Sequence, residues 1–160
     1  MYNKTKIEKA ISDFKKGKMV IVVDGEDREN EGDFIISSEK VTSQDINFMM
    51  KEARGLICIS ISNQRAKELE LNPMVADNTE QHKTNFTVSV DGIKNVSTGI
   101  SANDRYQTVK TLINQKSKPE DLARPGHMFP LIAKDGGVLQ RAGHTEAAID
   151  LAKLSNLYPS

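Results

Sequence analysis

Apolar positions along the chain follow two alternating patterns, one typical of amphipathic helices and one of strands. Near the start, four residues recur at helical spacing: Ile7, Ala10, Ile11 and Phe14. Gly17 stands where such a helix would end. The β-branched run at residues 19–24 then predicts a buried strand, and the run DFIIS predicts a second strand after the polar loop GEDRENEG.

The alternation continues through the middle of the chain. A helix starting at Thr42 or Ser43 is predicted to stop at Gly55, before the strand-like run LICISIS. A short helix is predicted over residues 63–71, and residues 74–85 form an aperiodic polar stretch before the strand-like run FTVSVD. Another helix is predicted to begin at a capping box formed by Ser101 and Asp104.

Towards the C-terminus, the segment KPEDLARPGH predicts a connector punctuated by Pro and Gly, followed by the strand HMFPLIA. Thr145 is predicted to cap a final helix with four inward-facing residues: Ala148, Ile149, Ala152 and Leu154. Helices mixed with strands in this way predict an α/β or α+β layered domain, in which helices flank a mixed, twisted sheet. The 160 residues fit a single domain at residues 1–160.

Charge and cysteine content narrow the classes of partner. Lys+Arg and Asp+Glu both total 22, so no net field attracts nucleic acid or an anionic membrane. No apolar run approaches the roughly 20 residues that cross a bilayer. The single cysteine, Cys58, cannot form an internal disulfide, which predicts a reducing cytoplasm. We therefore expect neither a nucleic-acid nor a membrane partner.

The segment DGEDRENEGD carries the densest chemical signal. Six carboxylates lie within ten residues: Asp24, Glu26, Asp27, Glu29, Glu31 and Asp33. Composition alone slightly favours a solvated acidic turn, as for most runs of charge. The position between two strands changes this interpretation, because ligands often bind at sheet ends and magnesium binds through one or two carboxylates. The segment is therefore a candidate metal and acid/base loop.

Three further segments carry donors for an anion. In QRAGHTEA, Arg141 and a helix N-terminus suit phosphate, and His144 is a possible metal ligand or proton carrier. Each of STGISANDR and ARPGH is equally well explained as a cap or a turn. Without a Walker loop or dinucleotide fingerprint, ATP- and NAD-dependent chemistry is disfavoured. Together the segments indicate a small phosphorylated substrate that contacts a metal at one end and arginine at the other.

Five separated motifs have a joint resemblance to a known family: DRENEGD, FTVSVD, STGISANDR, RPGHMFPL and GGVLQRAGHTEAAIDLAKL. In this order they closely resemble 3,4-dihydroxy-2-butanone 4-phosphate synthase of riboflavin biosynthesis. The resemblance implies a layered α/β fold and a homodimer with active sites at the subunit interface. It also implies conversion of D-ribulose 5-phosphate to L-3,4-dihydroxy-2-butanone 4-phosphate and formate with Mg²⁺ or Mn²⁺.

The same resemblance assigns roles by motif. Glu29 and His144 are the implied metal ligands. The implied catalytic residues are Glu31, Asp33, Cys58 and His127, with Asp33 or Glu31 as the acid/base group and Cys58 in the pocket wall. Implied substrate-binding residues are Arg28, Glu29, Asp33, Thr98, Ser101, Arg124, Arg141, Ala142, Gly143, His144 and Thr145. Cys58 lies in an apolar strand, so plain packing is the alternative for that residue.

Members of this family usually continue past the position of Ser160 through a Gly-Val strand, an acidic residue that reaches the site, and a final helix. The resemblance therefore predicts a single synthase domain at residues 1–160 without that strand and helix, with reduced turnover. Two other functions remain open. One is a different metal-dependent phosphosugar lyase or isomerase, and the other is a weakly active or non-catalytic phosphosugar-binding module.

Overall fold

A computed structural model describes residues 4–160 and begins with the predicted N-terminal helix, α1 (Lys4–Lys15). Gly17 ends this segment with φ at 80°, a left-handed conformation that favours glycine. Strands β1 (Val20–Val23) and β2 (Gly32–Ile35) follow and pair antiparallel. The acidic loop connects them, as predicted.

Strand β1 is half-buried rather than fully buried, which corrects the expectation for residues 19–24. Ile21 and Val23 are 64% and 65% exposed, whereas Val20 and Val22 pack against the core. The uniformly apolar run concealed this alternation, because every position in it is hydrophobic whichever face it occupies.

Helix α2 (Ser43–Phe48) begins at Thr42, whose side chain forms a capping box with Asp45. A π-helical turn at Met49–Ala53 extends it, and Arg54 ends the turn in a left-handed conformation, just before Gly55. Strand β3 (Cys58–Ile61) and the short helix α3 (Asn63–Glu68) come next. These elements confirm the predicted order of helix, strand and short helix.

Strand β5 (Leu122–Ile132) is the centre of a three-stranded mixed sheet. It pairs parallel with β3 and antiparallel with β4 (Val90–Gly92), and helix α4 (Ala102–Ile113) packs against β4. Two expectations are corrected. The predicted connector at residues 118–127 is strand from Leu122 onward, because β4 pairs with Leu122, Ala123 and Met128 on either side of an irregularity that contains Pro125 and Gly126. Only the end of FTVSVD forms a regular strand.

The last helix, α5 (His144–Leu154), is capped at Gly143, so Thr145 lies inside its first turn rather than capping it. Leu154 is 63% exposed, which corrects its expected inward orientation, whereas Ala148, Ile149 and Ala152 are buried as predicted. No helix among the described residues is both long enough and apolar enough to cross a membrane.

The core has two parts. The larger lies between the three-stranded sheet and helices α2, α3 and α4, and includes Ile46, Ile61, Leu69 and Leu112. The smaller joins α1, β2 and α5 around Phe14. A cavity of about 600 Å³ separates β2 from β3 and is lined by consecutive residues of both strands. Lining by consecutive residues means that the cavity runs along the strand edges, and neither edge has a strand partner among residues 4–160.

Candidate active site

The acidic loop is folded around the carboxylate of Asp24, which directly follows β1. The amide of Glu31 donates to Asp24 Oδ1 at 2.9 Å, and the amide of Glu29 donates to Oδ2 at 3.2 Å. Arg28 Nη1 also donates to Oδ2, at 2.6 Å, and Arg28 Nη2 lies 2.7 Å from Glu29 Oε1. One carboxylate therefore holds three residues of the loop, which we call the Asp24 loop (residues 24–31).

These contacts control the charge of Asp24. Burial raises the pKa of the Asp24 carboxyl, but hydrogen bonds from Glu31, Arg28 and Glu29, together with the nearby His144, outweigh burial and lower the pKa to about 2. Asp24 is therefore a carboxylate at any physiological pH.

Three potential metal ligands converge between this loop and the start of α5. Ligand atoms of Asp24, Glu29 and His144 all lie within 4.8 Å of one another. His144 Nε2 is buried and has no hydrogen-bond partner in the described part of the chain, and Nδ1 lies 3.7 Å from Asp33 Oδ2. A buried nitrogen without a partner is costly, and imidazole with carboxylates is a common ligand set for divalent metals. The residues present therefore fit a divalent metal ion.

Cys58 lines the cavity together with Glu31, Asp33, His144 and Thr145. Burial, together with the negative charge of Asp33, raises the pKa of the Cys58 thiol to about 12. The thiolate is the nucleophilic form of cysteine, so Cys58 is not activated for nucleophilic attack at neutral pH. Its placement agrees with a wall residue, and a catalytic role for it stays a prediction.

The predicted phosphate-binding segment forms the N-terminal end of α5. Arg141 is held by Glu146 Oε2 at 2.7 Å, by the Thr84 hydroxyl at 2.9 Å and by the His82 carbonyl. A side chain on Gly143 would displace the guanidinium of Arg141 from its present position, so glycine at this position permits the close approach. Ala142 is exposed beside it, whereas Thr145 is buried and lines the cavity.

A second group of predicted site residues surrounds His127, and we call it the His127 group (residues 91, 97–101 and 127). His127 Nδ1 lies 2.7 Å from Asp91 Oδ2, and the His127 amide donates to Asp91 Oδ1 at 2.9 Å. Gly99 packs so closely on this pair that any Cβ would overlap Asp91. Thr98, next to Gly99, is exposed.

Asp104 fixes the loop that carries Thr98. Its carboxylate accepts hydrogen bonds from the amide of Ser97 at 3.1 Å, the hydroxyl of Ser97 at 2.8 Å and the amide of Gly99 at 3.1 Å. Ser101 caps α4 by accepting from the Asp104 amide. The predicted capping box is therefore only half formed, because the Asp104 carboxylate binds the preceding loop instead.

The described hydrogen bonds of Arg124 are to main-chain carbonyls and not to either group. Its guanidinium donates to the carbonyls of Pro119, Leu122 and Leu69, at 2.9, 2.9 and 2.6 Å. These bonds tie β5 to the segments around it, and Arg124 does not line the cavity. A substrate-binding role for Arg124 stays a prediction.

Within one chain, the His127 group does not line the cavity that holds Asp33 and His144. Strand β5 contributes Met128 and Leu131 to the cavity lining, but not His127. Sequence reasoning placed all these residues at one pocket, whereas the cavity of a single chain contains only some of them.

Sequence reasoning missed three supporting residues: Asp24, Asp91 and Glu146. Asp24 was visible within the carboxylate run but had no distinguishing feature there. Asp91 is 36 residues from its partner His127, and local spacing carries no signal for such a pair. Glu146 is 1% exposed, and its charge is compensated by Arg141 and by the Lys134 amide.

Comparisons with known proteins agree with this geometry. The family model for 3,4-dihydroxy-2-butanone 4-phosphate synthase matches residues 8–160. The chain is 58% identical over 154 residues to the riboflavin biosynthesis protein RibBA of Chlorobium phaeovibrioides, and 59% identical over 155 residues to RibBA of Cytophaga hutchinsonii. Each match covers 96% of this chain and 38% of the relative, so the chain spans well under half the length of these relatives.

Solved structures show the same fold. A 3,4-dihydroxy-2-butanone 4-phosphate synthase in complex with two magnesium ions superposes with a TM-score of 0.93 at 42% identity, over 96% of this chain and 71% of that one. RibBX, a two-domain synthase from A. baumannii, superposes with a TM-score of 0.91 at 46% identity, over 96% of this chain and 45% of that one. The predicted α/β fold class is confirmed.

Proposed function

The chain belongs to the 3,4-dihydroxy-2-butanone 4-phosphate synthase family, and we propose that it converts D-ribulose 5-phosphate to L-3,4-dihydroxy-2-butanone 4-phosphate and formate. The observation that carries the proposal is the convergence of Asp24, Glu29 and His144 at a cavity that also contains Asp33 and Cys58. Riboflavin biosynthesis is the pathway in which the RibBA relatives are named.

Glu29 and His144 would hold Mg²⁺, or Mn²⁺ in its place. A bound divalent ion would supply positive charge that stabilises the negative charge left when a proton next to a carbonyl is removed. Asp33, or Glu31, would take that proton, since both carboxylates line the cavity and Asp33 lies beside His144. The neutral Cys58 thiol would form part of the wall and exclude water.

The N-terminal end of α5 would hold the substrate phosphate. Its first turn presents free amides next to Gly143 and Thr145, and the guanidinium of Arg141 is fixed nearby by Glu146. Ala142 is the exposed neighbour between Arg141 and Gly143. Clamping the phosphate here and the sugar oxygens at the Asp24 loop, through Arg28 and Glu29, would keep the carbon skeleton in register during rearrangement.

A homodimer would bring the two separated groups of residues together. The His127 group does not line the cavity of its own chain, and it contains the exposed Ile100, with the exposed Ile93 two residues from Asp91; these side chains are 52% and 55% exposed. Exposed apolar residues around a polar cluster are typical of interaction sites. In this proposal, the His127, Thr98 and Ser101 side chains complete the active site of the partner subunit, and a cytoplasmic location suits an enzyme with one free cysteine.

Product analysis tests the reaction. We expect the purified chain, incubated with D-ribulose 5-phosphate and magnesium, to release formate together with a four-carbon phosphosugar, and EDTA to stop the release. Exchange between ketose and aldose without formate would instead indicate an isomerase. Binding of the sugar phosphate without any product would indicate a phosphosugar-binding module.

A further inference from the structure

The Asp24 loop contains carboxylates of two distinct kinds. Glu26 and Asp27 are exposed, whereas the Asp24 side chain is only 5% exposed and accepts three hydrogen bonds. Its own amide also donates to the Glu31 carbonyl at 3.2 Å, which closes the base of the loop. Among the described contacts, Asp24 is thus the one carboxylate of the run that accepts hydrogen bonds from three other residues of the loop.

We propose that Asp24 is the positioning residue of the metal loop. Its carboxylate fixes the main chain at Glu29 and Glu31 and the guanidinium of Arg28, so that the Glu29 side chain meets His144. The inference rests on the proposed metal-binding role of Glu29 and His144. It adds a residue that had no assigned role and that acts through Glu29.

An alternative role follows from the same geometry, because an Asp24 oxygen lies within 4.8 Å of the ligand atoms of Glu29 and His144. A carboxylate can accept about four hydrogen bonds, and three acceptor sites on Asp24 are already used by protein donors. This donor load favours positioning over direct ligation. A positioning residue orders the loop before any metal binds, whereas a direct ligand need not do so.

The test compares Asp24→Asn with Asp27→Asn, which removes the same charge from an exposed position in the same loop. Asparagine preserves the size of Asp24 but offers one acceptor oxygen. It therefore cannot accept from the Glu31 amide, which bonds Oδ1, and also from the Glu29 amide and the Arg28 guanidinium, which bond Oδ2. Amide hydrogen exchange at Glu29 and Glu31 is measured by NMR in the presence of EDTA, and magnesium affinity is measured by calorimetry.

We expect Asp24→Asn to speed exchange at both amides and to weaken magnesium binding by about 10- to 100-fold, the usual cost of losing a residue that orients a ligand. Asp27→Asn should leave exchange unchanged and shift affinity by no more than about twofold, since solvent screens its charge. Unchanged exchange in Asp24→Asn with weaker binding would make Asp24 a direct ligand and overturn the proposal. Unchanged affinity would overturn it as well.

Two controls keep the test decisive. Amides of α5 and β5 report on global folding, and if Asp24→Asn unfolds them, Asp24→Glu replaces it, because it keeps the charge but displaces the carboxylate by one methylene. Fast exchange and weak magnesium binding in Asp24→Glu would support positioning, and parental values of both would refute it. Parental affinity with fast exchange would also refute positioning, because magnesium affinity would then not depend on the order of the loop. Magnesium binding by the parent is measured first: its absence refutes the proposed metal role, and amide exchange then decides the positioning role alone.

Discussion

The Asp24 loop and the His127 group each rely on a well-buried carboxylate, but the two carboxylates reach across very different lengths of chain. Asp24 binds residues four, five and seven positions away, whereas Asp91 binds a histidine 36 positions away. The first arrangement is a property of one turn. The second exists only after β4 has paired with β5, so its geometry depends on the whole sheet.

The two regions also differ in charge. The Asp24 loop concentrates carboxylates around a single arginine, which suits the binding of a cation. The His127 group presents one Asp–His pair beside hydroxyl groups and a glycine, which suits hydrogen bonding and proton transfer. The two groups therefore offer different chemistry, a cation-binding loop and an Asp–His pair, rather than two similar sites.

The sharpest test of the first region removes one predicted metal ligand. We expect Glu29→Gln or His144→Ala to reduce formate release by about 10²- to 10³-fold, a typical effect of removing one electrostatic stabiliser. Circular dichroism should remain parental, because neither residue belongs to the apolar core. Near-parental turnover with magnesium in either variant would remove that residue from the metal site.

Mixing two inactive variants tests whether the Asp24 loop of one subunit and the His127 group of another form one active site. We expect Glu29→Gln and His127→Ala chains, mixed under conditions that exchange subunits, to recover about a quarter of parental activity per chain. About half of the dimers would be mixed, and each mixed dimer of a two-fold assembly would hold one complete site. A mixture as inactive as its components would show that the two regions do not combine in this way.

Replacing Asp91 by asparagine separates orientation from binding in the second region. Asp91 holds the Nδ1 side of His127 and so fixes its tautomer. We expect Asp91→Asn to lower kcat by at least about tenfold with little change in KM, because loss of an orienting carboxylate is costly for a catalytic histidine. The exposed Glu120→Gln serves as the control. A change in KM alone would indicate a substrate-binding role instead.

Acid titration gives the smallest expected effect. It tests the low pKa that hydrogen bonds give to the carboxyls that support the two regions, Asp24 and Asp104. Hydrogen bonds from Ser97 and Gly99 lower the pKa of Asp104 to about 2, from an ordinary value of 3.8. The stabilisation is complete above the ordinary value and is lost as the pH falls through 4 towards 2. We expect Asp104→Asn to be less stable than the parent at pH 6, but to lose less stability between pH 6 and pH 3, as measured by urea denaturation. An equal loss in both proteins would contradict this.

The sequence predicts elements well where the determinants are local. The capping of α2 by Thr42, the left-handed Gly17 and the acidic loop between β1 and β2 all depend on neighbouring residues, and all are confirmed. The start of α5 is less well predicted, because Gly143 and Thr145 both stand near it and the sequence pattern does not choose between them.

Expectations that depend on tertiary pairing are less successful. The segment around Pro125 and Gly126 was predicted to be a connector, yet pairing with β4 makes it part of the longest strand. The pair of Asp91 and His127 has no local signature for the same reason. The resemblance to a family supplied His127 as a candidate, but the physical cause of its position becomes visible only in the sheet.

The cavity between β2 and β3 has a consequence for how this chain behaves in solution. Within the described part of the chain, each of these strands presents an edge without a strand partner, and such edges can hydrogen-bond to strands of other molecules. We therefore expect this chain to form assemblies larger than a dimer as concentration rises, with excess β-structure detectable by infrared spectroscopy. Storage at low concentration, rather than a change of salt, is the handling condition that this edge geometry favours.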